Sequence, residues 1–305
     1  MERAIVAGAS GFVGSAVVRM LLGKGVNVVA LGRKLFENTE LSLLNSEPEL
    51  TYFQIDNSQM DELPERLSSV DWDVGGACVF YNFSWSGGES LTSGVVEDQI
   101  NNVFSSVAMV KVASKLGCKK FVSVGTQEEK FMDDYLVEGW KKRSYSSSHD
   151  IYALAKISSR DQTKLAAYLN RIDFIHTRFS VPIDEALNGD GYVNSTLRKI
   201  YSNDEYTPPI NKQFFDFIPL NELARAYYLI GMRAENRAEY FIGTGTARTL
   251  GEYFSRFSDI VGGRSVCDSH PDTSVHDFEI KQITDEIGFK VQYNFDDIAI
   301  KLERS

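Results

Sequence analysis

The chain has 305 residues, of which 43% are hydrophobic and 24% charged, and its formal net charge is -10. This length and hydrophobic content are sufficient for one large domain or two small ones with a packed core, and they exclude an intrinsically disordered protein. The negative net charge argues against nucleic acid or an anionic membrane surface as partner, because both recruit an excess of Lys and Arg.

Neither a secretory signal nor a membrane-spanning run is predicted, because Arg3 leads directly into a short strand and no stretch approaches the roughly 18 apolar residues that a span needs. Three cysteines without metal-ligand spacing are typical of a reducing cytosol, so we expect a cytoplasmic protein without disulfides. The four histidines also lack paired ligand spacing, and no metal site is predicted. These residues are Cys78, Cys118, Cys267, His149, His176, His270 and His276.

The first half of the chain alternates short apolar runs with stretches that are long enough for a crossover helix. Helical spacing begins after Gly14 and continues to Leu22. Strands that alternate with helices predict an α/β fold with a doubly wound parallel sheet, covered by helices on both faces. The predicted strands are Ala4–Ala7, Gly25–Leu31, Leu50–Ile55, Ala77–Tyr81 and Lys120–Val124.

The segment from Asp98 to Leu116 is a predicted helix with two apolar stripes. One stripe can cover the sheet, and the second requires another partner. A subunit interface and a fully buried helix explain this pattern equally well. Beyond Arg178 the alternation weakens into short, turn-rich pieces with one more amphipathic helix at Leu220–Met232, which predicts a smaller second lobe.

A glycine-rich turn lies where the first strand passes into the first helix. Glycines let the backbone approach a pyrophosphate closely, and a helix start adds free N–H groups and the positive end of a dipole. An ordinary turn is the alternative, but the strand before it and the helix after it favour a dinucleotide site. The turn consists of Gly8, Ala9, Ser10, Gly11, Phe12, Val13 and Gly14.

The end of the second predicted strand indicates which cofactor is bound. An acidic residue there would hold the ribose hydroxyls of NAD(H), whereas arginine accommodates the 2′-phosphate of NADP(H). The chain has Gly32, Arg33 and Lys34 and no acid, which favours NADP(H) over NAD(H), unless the two cations are only a solvated turn. After the third strand, Asp56 with Asn57 is placed either to contact adenine or to cap a turn.

Tyr152 and Lys156 are four residues apart, which places a phenol and an ammonium on one face of a helix. A free tyrosine has a pKa of about 10, so a neighbouring cation is needed to make it an acid-base catalyst near neutral pH. Such a pair also occurs by chance. Thr126 strengthens the interpretation, because it follows the strand predicted at Lys120–Val124 and therefore lies at the carboxyl edge of the sheet, where ligands bind in such folds.

The glycine turn, Thr126 and the Tyr152/Lys156 pair, in this order, resemble the extended short-chain dehydrogenase/reductases, the NAD-dependent epimerase/dehydratase family that acts on nucleotide sugars. The similarity extends over nearly the whole chain. It implies that Tyr152 is the acid or base, that Thr126 orients the substrate oxygen, and that Lys156 also holds the nicotinamide ribose. It further implies a dinucleotide-binding domain of residues 1–178 plus about 214–242, and a substrate-binding lobe of about 179–213 plus 243–305.

Further residues acquire roles from the same resemblance. The segment after the fourth strand resembles the part of the family that lies beside the nicotinamide, which implies cofactor contacts of Phe83 and Ser84 and a substrate contact of Trp85. Asn102 matches the asparagine that ties the central helix to the sheet. The other residues implied in substrate binding are Thr126, Gln127, Glu128, Arg178 and Asn194.

Departures from the family concern the substrate. Sugar 4,6-dehydratases have an Asp-Glu pair after the threonine, where this chain has Gln127 and Glu128, so the acid for dehydration is missing. Many 4-epimerases have an arginine where Phe215 stands, in the segment that resembles the strand returning to the cofactor lobe. The polar stretch Lys141–Asp150, which precedes the tyrosine, is either a mobile substrate loop or a plain surface loop.

These residues favour an NADPH-dependent reductase of a nucleotide-linked 4-keto-6-deoxy sugar, with hydride delivered to the keto carbon and the proton supplied by Tyr152. A nucleotide-sugar epimerase with bound NAD(P) is the alternative, and a 4,6-dehydratase or a non-catalytic NADP(H)-binding regulator is less favoured. The expected partners are a nucleotide-diphosphate sugar and a second copy of the chain, which would dimerise through the helices near 98–116 and 152–168.

Overall fold

The computed structural model describes residues 1–70, 72, 77–86, 95–134, 148–207, 209, 213–264 and 278–303. By their contacts, these residues form two compact units. The first consists of Met1–Arg178 with Tyr228–Glu239, and the second of Phe179–Tyr227 with Tyr240–Ser305.

The central sheet has seven strands in the described part of the chain, and most of its residues lie in the first unit. The strands are β1 (Arg3–Ala7), β2 (Asn27–Gly32), β3 (Leu50–Gln54), β4 (Cys78–Asn82), β5 (Lys120–Val124), β6 (Asp173–Phe179) and β10 (Glu239–Ile242). Their order across the sheet is β10-β6-β5-β4-β1-β2-β3, and the pairs among β1 to β6 are parallel. This arrangement confirms the predicted doubly wound α/β fold. Because β1 pairs with both β2 and β4, the chain reverses its direction of winding at β1, which is where such folds bind ligands.

Helices cover both faces of this sheet. All four residues from Ala4 to Ala7 are fully buried, and since alternate residues of a strand face opposite sides, neither side is open to solvent. One core cluster joins Ile5 and Phe121 of the sheet to Met109 and Ala167 of two helices. The helices of this unit are α1 (Phe12–Leu22), α2 (Leu63–Leu67), α3 (Val96–Lys115), α4 (Glu128–Asp134) and α5 (Ser148–Leu169). Within the described residues, no helix has the length and apolar character that crossing a bilayer requires.

Helix α3 is not fully buried within this chain. Its residues Val103 and Val110 lie in the core, whereas Ile100 is 47% exposed and Phe104 65% exposed. The first predicted stripe contains Ile100 with Val103 and Val110, and the second contains Phe104 with the buried Val112, so each stripe is partly buried and partly faces outward. The fully buried alternative does not describe the single chain.

The second unit has its own aromatic core. Phe217 and Tyr253 stack with their ring centroids 3.9 Å apart, and Phe295 lies edge-on against both. The elements here are β7 (Val181–Ile183), α6 (Tyr192–Ser202), β8 (Phe214–Phe215), β9 (Phe217–Pro219), β11 (Arg248–Thr249), α8 (Leu250–Val261), α9 (Lys281–Ile287) and α10 (Phe295–Lys301), while α7 (Leu220–Arg233) begins here and ends in the first unit.

The segment around Phe215 belongs to the second unit, although the sequence-based division had placed about 214–242 in the dinucleotide-binding domain. The reason lies in strand pairing. Strand β8 pairs with β11, and β9 pairs with β7, and all four strands lie in the second unit. Only 228–239 of that segment joins the first unit.

Candidate active site

The glycine turn requires glycine for geometric reasons. Gly8, directly after β1, has φ +78°, and a Cβ built there would lie 2.7 Å from the backbone carbon of Phe83 and 2.7 Å from the backbone nitrogen of Ser84. A Cβ on Gly14 would run into the carbonyl oxygen of Gly8. The turn closes through a hydrogen bond of 3.0 Å from the N–H of Gly11 to that same oxygen. The first strand, the first helix and the end of β4 therefore meet at backbone contact distance.

A cleft with a volume of about 210 Å³ opens at this point, at the carboxyl ends of β1, β2 and β4. The predicted cofactor and substrate residues that line it are Gly8, Ser10, Gly11, Arg33, Lys34, Asn57, Phe83, Ser84 and Trp85. The cleft thus collects most of the predicted cofactor residues in one place.

Six predicted cofactor residues do not line the cleft: Phe12, Val13, Gly14, Asp56, and the pair Tyr152 and Lys156 described below. Phe12, Val13 and Gly14 form the first turn of α1. The carboxylate of Asp56 accepts hydrogen bonds from the N–H of Ser58 at 3.0 Å and from its hydroxyl at 2.8 Å, and these bonds lower the pKa of Asp56. Asp56 therefore caps the following 3₁₀ turn, one of its two predicted alternatives, and an adenine contact stays a prediction.

Positive charge is concentrated at the β2 end of the cleft. Arg33 and Lys34 are exposed and line it, directly after Gly32. A Cβ on Gly32 would lie 2.6 Å from the hydroxyl of Tyr52 and 2.7 Å from that of Ser10. An acidic side chain at position 32 would therefore displace its neighbours.

The segment after β4 is held by side chains of α3. The amide of Asn102 accepts from the N–H of Ser86 at 2.7 Å and donates to its carbonyl oxygen at 2.9 Å. The indole N–H of Trp85 donates to Gln99 at 2.9 Å. These bonds confirm that Asn102 ties the central helix to the sheet region, and they orient Trp85.

Thr126, Tyr152 and Lys156 come together at the carboxyl edge of β5. The side chain of Thr126 lies close to the hydroxyl of Tyr152 and interacts with it. Burial raises the pKa of Tyr152, the interaction with Thr126 opposes this rise, and the carboxylates of Glu129 and Glu128 add to it. The phenol is therefore protonated near neutral pH.

Lys156 lies between the sheet and an aromatic ring. Its Nζ donates to the carbonyl oxygen of Val124 at 3.1 Å and lies 3.7 Å from the ring centroid of Trp85, which in turn contacts Tyr152 edge-to-face. Burial lowers the pKa of Lys156 to about 8, and the charge of Glu129 acts in the opposite direction. The aromatic neighbour of Lys156 was not anticipated, because Trp85 was interpreted only as a substrate contact.

Sequence reasoning also missed Glu129, which is fully buried beside this group. Its carboxylate accepts from the N–H of Thr126 at 2.9 Å and lies 2.9 Å from Nε2 of His176 and 3.6 Å from Arg160. Burial alone would raise the pKa of Glu129, but His176, the Thr126 N–H and Lys156 bring it below its ordinary value. The Thr126-x-x-Glu129 spacing of a capping box was the available signal.

The remaining predicted substrate residues differ in their surroundings. Gln127 is buried, and its Oε1 has no hydrogen-bond partner among the described residues. Glu128 begins α4, and Arg178 lies near the end of β6. Within the second unit, Asn194 is buried, accepts from the N–H of Asp184 at 3.2 Å and donates to the carbonyl oxygen of Pro182 at 3.1 Å.

The predicted polar loop is only partly described. Residues 141–147 of Lys141–Asp150 lie outside the described residues, and Ser148–Asp150 form the first turn of α5. The choice between a substrate loop and a plain surface loop therefore stays a prediction.

Comparison with known proteins identifies the family. The NAD dependent epimerase/dehydratase family matches residues 4–243, which is more than half of the chain. CDP-abequose synthase from Salmonella typhimurium is 25% identical over 96% of this chain and 90% of its own length.

Solved structures show the same fold. UDP-N-acetylglucosamine 4-epimerase from Methanobrevibacter ruminantium M1, in complex with UDP-N-acetylmuramic acid, has a TM-score of 0.74 at 18% identity and covers 99% of this chain and 96% of its own. The dTDP-glucose 4,6-dehydratase from Bacillus anthracis, in complex with NAD, has a TM-score of 0.73 at 14% identity and covers 99% and 95%. The chain belongs to the NAD dependent epimerase/dehydratase family and is an NAD(P)-dependent enzyme of the extended short-chain dehydrogenase/reductase type.

Proposed function

We propose that this enzyme is an NADPH-dependent reductase of a nucleotide-linked 4-keto-6-deoxy sugar. The observation that carries the proposal is the placement of Tyr152 beside Thr126, with Nζ of Lys156 5.8 Å from the centroid of the Tyr152 ring, at the carboxyl edge of the sheet. The relatives named CDP-abequose synthase support a nucleotide-bound sugar as the substrate class.

The glycine turn fits a dinucleotide. A side chain at Gly8 would clash with the backbone of Phe83, and one at Gly14 would clash with the backbone of Gly8. The first turn of the helix that begins at Phe12 supplies free N–H groups for a pyrophosphate. In this proposal Ser10 and Gly11 contact the pyrophosphate, and Phe83 and Ser84 lie on the nicotinamide side. When bound, the cofactor supplies a hydride to the keto carbon of the sugar.

The β2 end of the cleft supports NADP(H) over NAD(H). Arg33 is exposed at the cleft and can form a charge-assisted bond to a 2′-phosphate. An acidic side chain at position 32 would be placed to hold the ribose hydroxyls of NAD(H). The hydroxyls of Tyr52 and Ser10 leave no room for a side chain at this position.

The proton comes from the phenol. Because burial raises the pKa of Tyr152, the side chain carries its proton near neutral pH and can donate it to the keto oxygen as the carbonyl becomes a hydroxyl. Thr126, whose side chain lies beside that phenol, holds the same oxygen in line. The ammonium of Lys156 stabilises the phenolate that remains until solvent returns the proton.

Dehydration is disfavoured by the residue that follows Thr126. Elimination needs an acid to protonate the departing hydroxyl, and the amide of Gln127 does not donate a proton near neutral pH. Its buried Oε1, which has no hydrogen-bond partner in the part of the chain that the structure describes, is instead suited to accept a hydrogen bond from a substrate group.

We also propose a homodimer through α3 and α5, which pack on each other. Ile100 and Phe104 of α3 and Leu154 and Leu165 of α5 are 44–65% exposed, a cluster that a second copy of the chain would cover. Light scattering after gel filtration should give twice the chain mass, and Phe104→Glu should give a monomer. A wild-type monomer at micromolar concentration would refute this assignment.

The function is tested with purified protein, NADPH or NADH, and a panel of nucleotide-linked 4-keto-6-deoxy sugars. We expect loss of nicotinamide absorbance with at least one sugar, and faster with NADPH. Absence of oxidation with every sugar would contradict the reductase, and product formation without net oxidation would identify the epimerase alternative.

Two variants test the assigned roles. Tyr152→Phe should lower kcat by about 10²–10⁴-fold and leave the Kd for NADPH unchanged, because only the acid is removed. Arg33→Ala should raise the KM for NADPH about 10- to 100-fold, because a charge-assisted bond to the 2′-phosphate is lost. The KM for NADH, which has no 2′-phosphate, should stay unchanged.

A further inference from the structure

A buried carboxylate that the proposed chemistry does not use lies directly behind the Thr126 bend. Glu129 is fully buried, and each of its oxygens has a specific partner: Oε1 accepts from the Thr126 N–H at 2.9 Å, and Oε2 lies 2.9 Å from Nε2 of His176 and 3.6 Å from Nη1 of Arg160. Burial of a charge is costly unless hydrogen bonds and opposite charges replace the lost hydration. The partners of Glu129 provide this compensation only in the observed orientation of its side chain.

The bend between β5 and α4 is packed against this carboxylate without spare room. A Cβ on Gly125 would lie 2.7 Å from Cε1 and 2.8 Å from Nε2 of His176, and it would overlap Oε1 of Glu129. The N–H of Gly125 donates to the carbonyl oxygen of Thr177 at 2.7 Å. The backbone of Thr126 is therefore placed by Glu129 on one side and by β6 on the other.

The same carboxylate lies near the cation of the site, because Glu129 binds the N–H of Thr126 and Lys156 binds the carbonyl oxygen of Val124, two residues earlier. Lys156 and Arg160 lie one helical turn apart on α5, and the charge of Glu129 acts on both. His176, which is 2% exposed, contacts the same carboxylate through Nε2. The titratable groups that face this cluster are Tyr152, Lys156 and Arg160 of α5, Glu128 and Asp133 of α4, His176 of β6 and Glu239 of β10.

We propose that Glu129 is a positioning residue whose carboxylate holds the backbone of Thr126 in place and serves as the buried counter-ion of Lys156. The proposal rests on the proposed function for the roles of Thr126 and Lys156. Glu129 itself touches neither substrate nor cofactor in this scheme. It acts through the two residues that do.

A purely structural role is the competing explanation, because Thr126-x-x-Glu129 is the pattern of a capping box. Glu129→Gln separates the two roles. Glutamine keeps an acceptor for the Thr126 N–H, while the negative charge is lost. A cap alone would survive this change, whereas a counter-ion would not.

The decisive measurement is the titration of Lys156 by NMR in protein with ¹³C-labelled lysine side chains, its signal assigned by its loss in Lys156→Met. The wild-type midpoint is expected near pH 8. Glu129→Gln should lower it by about one pH unit, because the negative charge that raises the pKa of Lys156 is removed. Asp133→Asn is the matched control, because it also removes a negative charge from α4. The side chain of Asp133 is 40% exposed and bonded to Arg160, so its removal should leave the midpoint of Lys156 unchanged. Coinciding titrations of Glu129→Gln and wild type would overturn the proposal.

The complementary variant is Glu129→Asp, which keeps the charge and shortens the reach to Thr126. We expect a Lys156 midpoint near that of the wild type and a kcat at least about tenfold lower with little change in KM, since misplacement of a reacting group by an ångström is costly. Wild-type kcat in Glu129→Asp would contradict the positioning role, and this variant also carries the test if Glu129→Gln does not fold. The NMR titration needs no sugar, so a failure of the proposed function leaves wild-type protein without turnover but does not alter the titration result.

Discussion

Replacement of Gly8 by alanine tests whether the cofactor turn depends on backbone conformation, on close packing, or on both. Gly8 has φ +78°, and its added Cβ would lie 2.7 Å from the backbone of both Phe83 and Ser84. These backbone atoms cannot simply move away, because Ala7 pairs with Asn82 in the sheet immediately before. Both the positive φ and the close packing therefore disfavour alanine at position 8.

The size of each term follows from a matched glycine in the same unit. Gly25 has φ +71° but nothing within 4 Å of its Cβ position, so Gly25→Ala measures the conformational term alone. That term is about 1 kcal/mol, because the strain of a left-handed L residue is partly offset by the stiffer unfolded chain. Gly8→Ala adds overpacking of about 1–3 kcal/mol, so a total loss of about 2–4 kcal/mol is expected.

Urea unfolding followed by circular dichroism gives the free energy of unfolding of each variant, and fluorescence titration gives the Kd for NADPH. Gly8→Ala should lose about 2–4 kcal/mol and bind NADPH at least about tenfold more weakly, because Phe83 and Ser84 line the cleft. Gly25→Ala should lose about 1 kcal/mol and keep wild-type affinity. Equal destabilisation by the two substitutions would refute the argument from close approach.

Three further outcomes follow from contacts elsewhere in the chain. Burial raises the pKa of Asp216 to about 7, whereas the carboxyl in the unfolded chain keeps its lower, ordinary pKa. The unfolded chain therefore releases this proton first, and the free energy of unfolding should fall by up to about 4 kcal/mol as the pH rises from about 4 to 7. Asp216→Asn, which can donate to Thr244, should abolish this pH dependence in urea titrations at a series of pH values, and an unchanged dependence would exclude Asp216 as its origin. Asn102→Leu removes both bonds to the backbone of Ser86 and should cost about 1–3 kcal/mol in the same measurement; an unchanged free energy would mean that the segment after β4 is held by other contacts. Phe257→Ala should destabilise the second unit by about 3–5 kcal/mol, because the ring is fully buried in its core, and a loss below 1 kcal/mol would indicate that this core collapses around the gap.

Much of the first unit could be predicted because its patterns are local. Strand β5 was placed with both of its ends correct, and α7 was one residue longer than predicted. The strand, glycine turn and helix from Arg3 to Leu22 depend on neighbours within a few residues, so periodicity and turn chemistry are sufficient to place them. The exposed residues Ile100 and Phe104 show the limit, since a pattern indicates an apolar stripe but not what covers it.

The candidate site also contains some contacts that the sequence predicts and others that it does not. The pairing of Tyr152 with Lys156 follows from helical spacing, and the position of Thr126 follows from the end of a predicted strand. The ring of Trp85 over Lys156 and the bond between Glu129 and His176 connect residues far apart in the chain, 47 positions in the second case. Spacing carries no information about such contacts.

The sequence by itself determined the α/β class, the glycine turn for a dinucleotide and the Tyr152/Lys156 pair, because each rests on a period or on a residue type with a restricted backbone. Tertiary structure alone decided that Glu129 is buried behind Thr126, that Trp85 covers Lys156, and that β8 and β9 belong to the second unit. Burial and charge compensation depend on which strands become neighbours, and the sheet establishes those neighbours across long stretches of chain.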